Sequence, residues 1–483
     1  MRLNPEHRSW CVFSRSRCAS IRQNMIPAFL VAPIQFKGNS MRPLLGILLV
    51  VASASADAAT LYVRQGASGN GSGLDWSNAL SNFPSIMSSS GSIYYVADGN
   101  YSSFQVTGAN VVVKKCSAAD HGTDVGYQPT YCDGQASLGG DIYLQNAASG
   151  FVIDGAYRNE GNWGAGDAYG FRLSGLRSST AANNSPTCPD SISARYLNIG
   201  VGEGATNEAA NEQPFYMGGF AETCSGWTLS RSYLHNWTWY TMVQCAGCDG
   251  LVVEYSLFKN GWGKEAIRGQ STAKNMTIRF NRFEDACGYP TSTFGGQSCQ
   301  GCGCTAEIAI WDGGANQFDN NKIYGNSFYR TKGRANDFND GGTIVVGGNG
   351  SSWAGSPANN TIIYNNTIAG IQSFLHTGAS ILVNGGTGNV IRNTLWYDVG
   401  GTPSANANTT SNNVKVTSDP FVNYATRDLR LKGPTSPGFT LASPYNADMN
   451  GVMRASDGSW DLGAYEYLGL NLLPAPSNLR QMP

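Results

Sequence analysis

The sequence predicts an all-β chain wound as a parallel β-solenoid, and three observations predict it. The first is a pattern repeated six times: an apolar residue, two variable ones, a small polar residue, one more variable residue and a large apolar one. It starts at Leu229, Val253, Ile278, Ile323, Ile363 and Ile391, in steps of 24, 25, 45, 40 and 28 residues. Steps of about 24 suit one turn of a solenoid, and the two long steps read as a turn with an insertion or as two turns, one degenerate. The second is composition: Gly is 60 of 483 residues and charged residues only 13%, so turns and short strands dominate over amphipathic helices. The third is strand spacing. An antiparallel sandwich would repeat roughly every 8–12 residues, which these steps do not.

A coil of this kind buries its apolar residues only when neighbouring turns stack on it. Ile278, Ile323, Ile363 and Ile391 should therefore share one interior column, in about ten turns over residues 90–432. Asn281, Asn326 and Asn366 occupy the small polar position, with Ser232, Ser256 and Thr394 at the same place in the other copies. Asn tolerates left-handed backbone and its amide bonds along a stack, so these residues are expected to form the bend.

Residues 1–40 are basic and irregular and read as a leader or an over-extended start. Met41 then opens a short basic head, the apolar run Leu44–Val51 and small residues through Ala59, which is the pattern of a signal peptide. The run is too short for a membrane anchor. The solenoid domain is placed at 60–468, with a capping helix over 77–88, a closing segment Asp457–Tyr467 and a linker or truncated module at 469–483. Ten cysteines follow the leader, an even number that suits disulfides in an oxidising compartment. Cys116 with Cys132 is the best pair. Cys287, Cys299, Cys302 and Cys304 fall in the first long step and would staple an insertion. Cys245 and Cys248 with Cys302 and Cys304 leave a four-thiolate zinc site as the alternative. The net charge of −1 argues against a nucleic-acid partner.

Leu61-Tyr-Val-Arg64, Asp75-Trp76, Tyr95-Val-Ala-Asp98-Gly99-Asn-Tyr101, the repeats and Asp461-Leu-Gly-Ala-Tyr-Glu466 resemble bacterial secreted right-handed parallel β-helix proteins over most of 60–468. Gly263-Lys264-Glu265-Ala-Ile267-Arg268, followed by Asn275-Met-Thr-Ile-Arg279-Phe-Asn281, is similar to the alginate lyase and chondroitinase B type of β-helix lyase. By that resemblance Arg268 falls close to the family's lysine base, while Trp311-Asp312 stand near where Arg-His is expected. The resemblance implies a secreted or cell-surface protein acting on a polysaccharide or cell-surface glycan, as a monomer.

Aligning Ile267 with Ile310 as inward residues puts Lys264, Ala266 and Arg268 outward on one turn and Glu307, Ala309 and Trp311 outward on the next. The preceding turn adds Trp239, Thr241 and Val243. Strict alternation turns Glu265 inward. Arg268, Lys264 and Glu307 are the candidate catalytic residues, and Trp239, Trp311 and Asp312 the candidate substrate-binding residues. A uronate polymer needs such a set: a cation for its carboxylate, a base for the C5 proton and a flat platform for the ring. The same residues read equally as a surface ion-pair ladder. No metal ligand or cofactor is assigned, with Ca²⁺ at Asp337-Phe-Asn339-Asp340 the exception, against a plain turn. His235 reads as a structural histidine. Two functions remain: a lyase that cleaves an acidic polysaccharide by β-elimination, and a non-catalytic β-helix for adhesion or glycan binding.

Overall fold

The structure, a computed structural model, describes residues 58–179, 187–200, 214–218, 223–237, 241–261, 263–287, 293–294, 297–298, 304–311, 318–331, 342–348, 357–371, 379–400 and 404–469. The expected leader, most of the expected signal peptide and residues 470–483 lie outside them, as do Asp337, Asn339 and Asp340. No helix of the described residues is long and apolar enough to cross a membrane.

Each turn of the chain contributes one strand to each of three parallel sheets. The first sheet has 12 strands, from Thr60–Val63 to Thr409–Ser411. The second has 11, from Gly99–Tyr101 to Val414–Val416, and the third has 12, from Ile86–Met87 to Ala405–Asn406. The fold is a parallel β-helix. It begins a turn earlier than residue 90, because Thr60–Val63 already pairs with Ile93–Val96. The coil ends at Val416, since Phe421–Asn423 and Asp428–Leu431 form an antiparallel pair instead.

The repeat lies in register as its spacing requires. Leu229, Val253, Ile278, Ile323, Ile363 and Ile391 stack rung on rung in the first sheet. Leu234, Phe258, Phe283, Phe328, Ile368 and Trp396 do so in the second. Ile278 pairs directly with Ile323 and Ile323 with Ile363, so each long step is one turn with insertions. In the first, residues 285–305 separate strand Arg282–Glu284 from Ala306–Ile310.

The Asn column is a ladder bonded through its amides as expected, but these Asn residues do not take the left-handed backbone. Asn326 Oδ1 accepts from the Asn281 backbone N–H at 3.0 Å and from Asn281 Nδ2 at 3.1 Å, while Asn326 Nδ2 donates to the Ile278 carbonyl at 2.9 Å. Asn366 repeats these bonds to Asn326. The left-handed residue is the one before: Arg231, Tyr255, Phe280 and Asn365 have φ of 49°, 49°, 56° and 54°. The ladder Asn turns its amide inward to satisfy buried N–H groups of the bend, and that leaves the positive φ to its neighbour. A second ladder, at the corner between third and first sheets, uses Asn321, Asn389 and Asn408.

Residues 77–88 form bends and the strand Ile86–Met87 rather than a helix. Pro84 disfavours helical backbone at Phe83, and Asn82 Oδ1 accepts from the Phe83 and Ser102 N–H groups instead. Phe83 closes this end, its ring 4.7 Å from Phe104 and 5.5 Å from Tyr101. Asp457–Tyr467 lies along the outer side of the second sheet: the Ala464 N–H bonds Thr367 Oγ1 at 2.8 Å, and Leu462 and Tyr465 join Tyr324, Tyr364 and Leu395 in an apolar cluster. Disulfides join Cys116–Cys132, Cys188–Cys224, Cys245–Cys248 and Cys287–Cys304. The expected Cys116 pair is present. Cys245 and Cys248 bond to each other, and Cys302 lies outside the described residues.

Candidate functional site

The third sheet carries the candidate residues: Arg268 lies on strand Glu265–Lys274, and Trp311 directly follows strand Ala306–Ile310, which pairs with that strand. Val243, Ile267, Ile308, Ile344 and Ile381 form its interior column. This corrects the expected alignment: Ile267 pairs with Ile308, not Ile310, and Val243 points inward with them. Ile310 pairs instead with Gly269. The outward neighbours of this column are Gln244, Arg268, Ala309, Val345 and Leu382. The offset is two residues, so Arg268 and Trp311 stay on one face although they are not on one rung.

Alternation fails just before this column. Ala266 and Ile267 both belong to the interior cluster. Glu265 is thereby returned to the outward side, opposite Ala306, which packs with Ala309, Val345 and Leu382 in a separate outer patch. The Glu265 carboxylate stands 3.8 Å from the Arg268 guanidinium, and both are buried, at 0% and 3% exposure. The Arg268 guanidinium also lies 5.3 Å from the Trp311 ring centre. Trp311 is half-buried and rests on the outer patch. Its backbone N–H donates to the Gly269 carbonyl at 2.9 Å, which fixes the ring's base beside the Arg268 strand. Gln244, next to Arg268 in the ladder, donates from Nε2 to Gln270 Oε1 at 2.8 Å. Lys264 is half-buried four residues before Arg268, and its carbonyl accepts from the Thr305 N–H at 2.8 Å.

Glu307 departs from the expected groove. It sits level with Ala266, at an interior position, and its carboxylate accepts a hydrogen bond from Arg330 Nη2. Arg330 is 0% exposed. Glu307 is therefore engaged at the corner between the second and third sheets and does not face Arg268. Trp239 and Asp312 lie outside the described residues. The structure thus brings together Arg268 and Trp311, adds Glu265, Gln244 and Gln270, and separates Glu307. Glu265 was hidden from sequence reasoning by the double-inward step at Ala266 and Ile267. Arg330 carried no signal, since it follows a strand of the second sheet and meets Glu307 only through stacking.

His235 lies on the second sheet, paired with Gly200 and Lys259. Burial, then the charges of Arg172 and Lys259, push its imidazole down to about 4, so it is neutral at pH 7. Nε2 is 2.6 Å from Asn198 Oδ1 and the ring stacks on Tyr233 at 4.2 Å, which supports the structural reading. Trp396 is an interior residue and Trp163 part of the second sheet's outer cluster, so neither is a sugar platform.

No protein-family model matches the chain, and no curated protein matches it in sequence. Among solved structures, the crystal structure of pectate lyase Pel9A is similar, with a TM-score of 0.37 and 12% identity over 85% of this chain and 98% of that one. The fold assignment rests on the strand pairing of this chain and not on that likeness.

Proposed function

We propose that the chain is an exported carbohydrate-active β-helix protein that holds an acidic, uronate-containing polysaccharide across the outer face of its third sheet and cleaves it by β-elimination. The observation that carries this reading is the buried Arg268 guanidinium held 5.3 Å from the half-buried Trp311 ring on one outward face. The guanidinium neutralises a uronate carboxylate and stabilises the enolate-like charge that develops when the C5 proton leaves. The indole offers a flat surface to the sugar ring. Lys264 is the residue assigned to the proton transfer, being less buried than Arg268 and directly preceding its strand Glu265–Lys274. A second reading, a glycan-binding protein without catalysis, is favoured by the Glu265 carboxylate beside Arg268 and by the engagement of Glu307 with Arg330. A panel of acidic polysaccharides separates the two. Absorbance of an unsaturated product, lost in Lys264→Ala with the melting temperature unchanged, supports cleavage. Retention of the polymer with no such absorbance on any substrate supports binding alone.

A further inference from the structure

Four groups from three successive pieces of chain meet at the corner between the second and third sheets. Cys287 follows strand Arg282–Glu284, and Cys304 precedes strand Ala306–Ile310, which carries Glu307. Arg330 follows strand Ser327–Tyr329 one turn later. One guanidinium nitrogen, Arg330 Nη2, lies 3.2 Å from each sulfur and donates to the Glu307 carboxylate. The ligand atoms of Cys287, Cys304 and Glu307 all fall within 4.8 Å of one another. Three ligands around one zinc-sized ion, at about 2.3 Å for sulfur and slightly less for oxygen, span at most about 4.6 Å. The three side chains are 0%, 0% and 3% exposed. In the disulfide form the group carries one carboxylate and one guanidinium, and the charges balance.

We propose that, once reduced, Cys287, Cys304 and Glu307 form a binding site for a thiophilic divalent cation of the zinc class. Reduction by a dithiol transfers two electrons to the Cys287–Cys304 bond and leaves two thiols, the dithiol becoming a disulfide. The cation then displaces the two thiol protons to solvent and is held by two thiolates and a carboxylate. Three negative ligands against a divalent ion and the Arg330 guanidinium again sum to zero, so Arg330 shifts aside yet stays as the balancing charge. Without the metal, the reduced corner would carry buried thiols around a guanidinium; with it, the ends of the 288–303 insertion stay joined as the disulfide joins them. The disulfide and the metal are thus alternative closures of one insertion, selected by redox state. The strand that follows this closure leads into Trp311.

The test uses the full chain, reduced anaerobically with a dithiol and titrated with Co²⁺, then Zn²⁺. The expected result is one equivalent of Co²⁺ with a thiolate charge-transfer band that Zn²⁺ abolishes. The oxidised chain should show none, and Cys287→Ser/Cys304→Ser should lose the band. Glu307→Gln should weaken binding by about 10–100-fold, at least as much as loss of an outer-shell partner. If the double variant does not fold, zinc-edge X-ray absorption of the reduced wild-type chain decides. Two sulfurs with lighter ligands support the site. Four sulfurs, which would mean a different cysteine set, overturn it, as does a reduced chain that retains no metal.

Discussion

Removing the Arg268 guanidinium takes away the cation 3.8 Å from a carboxylate that is 0% exposed. Breaking a buried pair from one side costs about 3–5 kcal/mol, so Arg268→Ala should lower stability as well as glycan binding. Arg268→Ala/Glu265→Ala should recover most of the stability but none of the binding, as read by chemical denaturation beside a binding assay. If the double variant is as unstable as the single one, Glu265 is not what Arg268 serves. A second residue-scale prediction concerns Glu466, whose carboxyl burial pushes up to about 7 from an ordinary value of 4.5, although backbone N–H groups at Asp461 and Ala455 and the charge of Arg454 pull the other way. A raised acid binds its proton more tightly in the folded state, so its contribution to stability falls as pH rises from about 4.5 to 7. Glu466→Gln should flatten that part of the stability–pH curve; an unchanged slope would remove Glu466 as its source.

Strands and ladders were the most legible level. The columns from Leu229 to Ile391 and Leu234 to Trp396 were readable because interior positions of a stacked coil must repeat both in spacing and in apolar character. The second Asn ladder was missed although its spacing is regular. Asn321 and Asn389 stand two residues before Ile323 and Ile391, and Asn408 two before Thr410, but Trp227, Leu251, Met276 and Thr361 fill that place in the other copies, so no constant residue type marks it. Glu265 was misplaced for a different reason. Two adjacent inward residues, Ala266 and Ile267, break the period of two on which strand faces are read. At the ladder, Asn326→Ala should destabilise by about 1–3 kcal/mol for each buried group it orphans, and the Asn281 N–H and Ile278 carbonyl both lose their bonds to Asn326. Phe283→Ala, in a column whose rings stack at 4.8 and 4.7 Å on Phe258 and Phe328, should cost about 3–5 kcal/mol. Urea titration of both variants checks these sizes; an Asn326→Ala loss below about 1 kcal/mol would show that the Asn281 N–H and the Ile278 carbonyl find other partners.

On the scale of the whole molecule, the coil is finished at its end by polarity. The last turn puts Thr410 beneath Ile391 and Lys415 beneath Trp396, and Lys415 Nζ donates to the Val399 carbonyl at 2.8 Å. An interior column that turns polar offers no apolar surface for another turn, as a capping repeat must not. The sequence carries these substitutions openly, yet they become meaningful only once the register is known. The same holds for the candidate site: Arg268 and Trp311 were singled out from the resemblance and from strand alternation, whereas Glu307 could be assigned to Arg330 only through contacts between turns. The central functional claim is that the Arg268–Trp311 face binds an acidic polysaccharide, whether or not cleavage follows. Affinity electrophoresis of the wild-type chain and Trp311→Ala in gels containing a polyuronate or a neutral glucan tests it most directly. The predicted result is retardation of the wild-type chain in the polyuronate gel alone, largely lost in Trp311→Ala; equal mobility of the two proteins in both gels would contradict it.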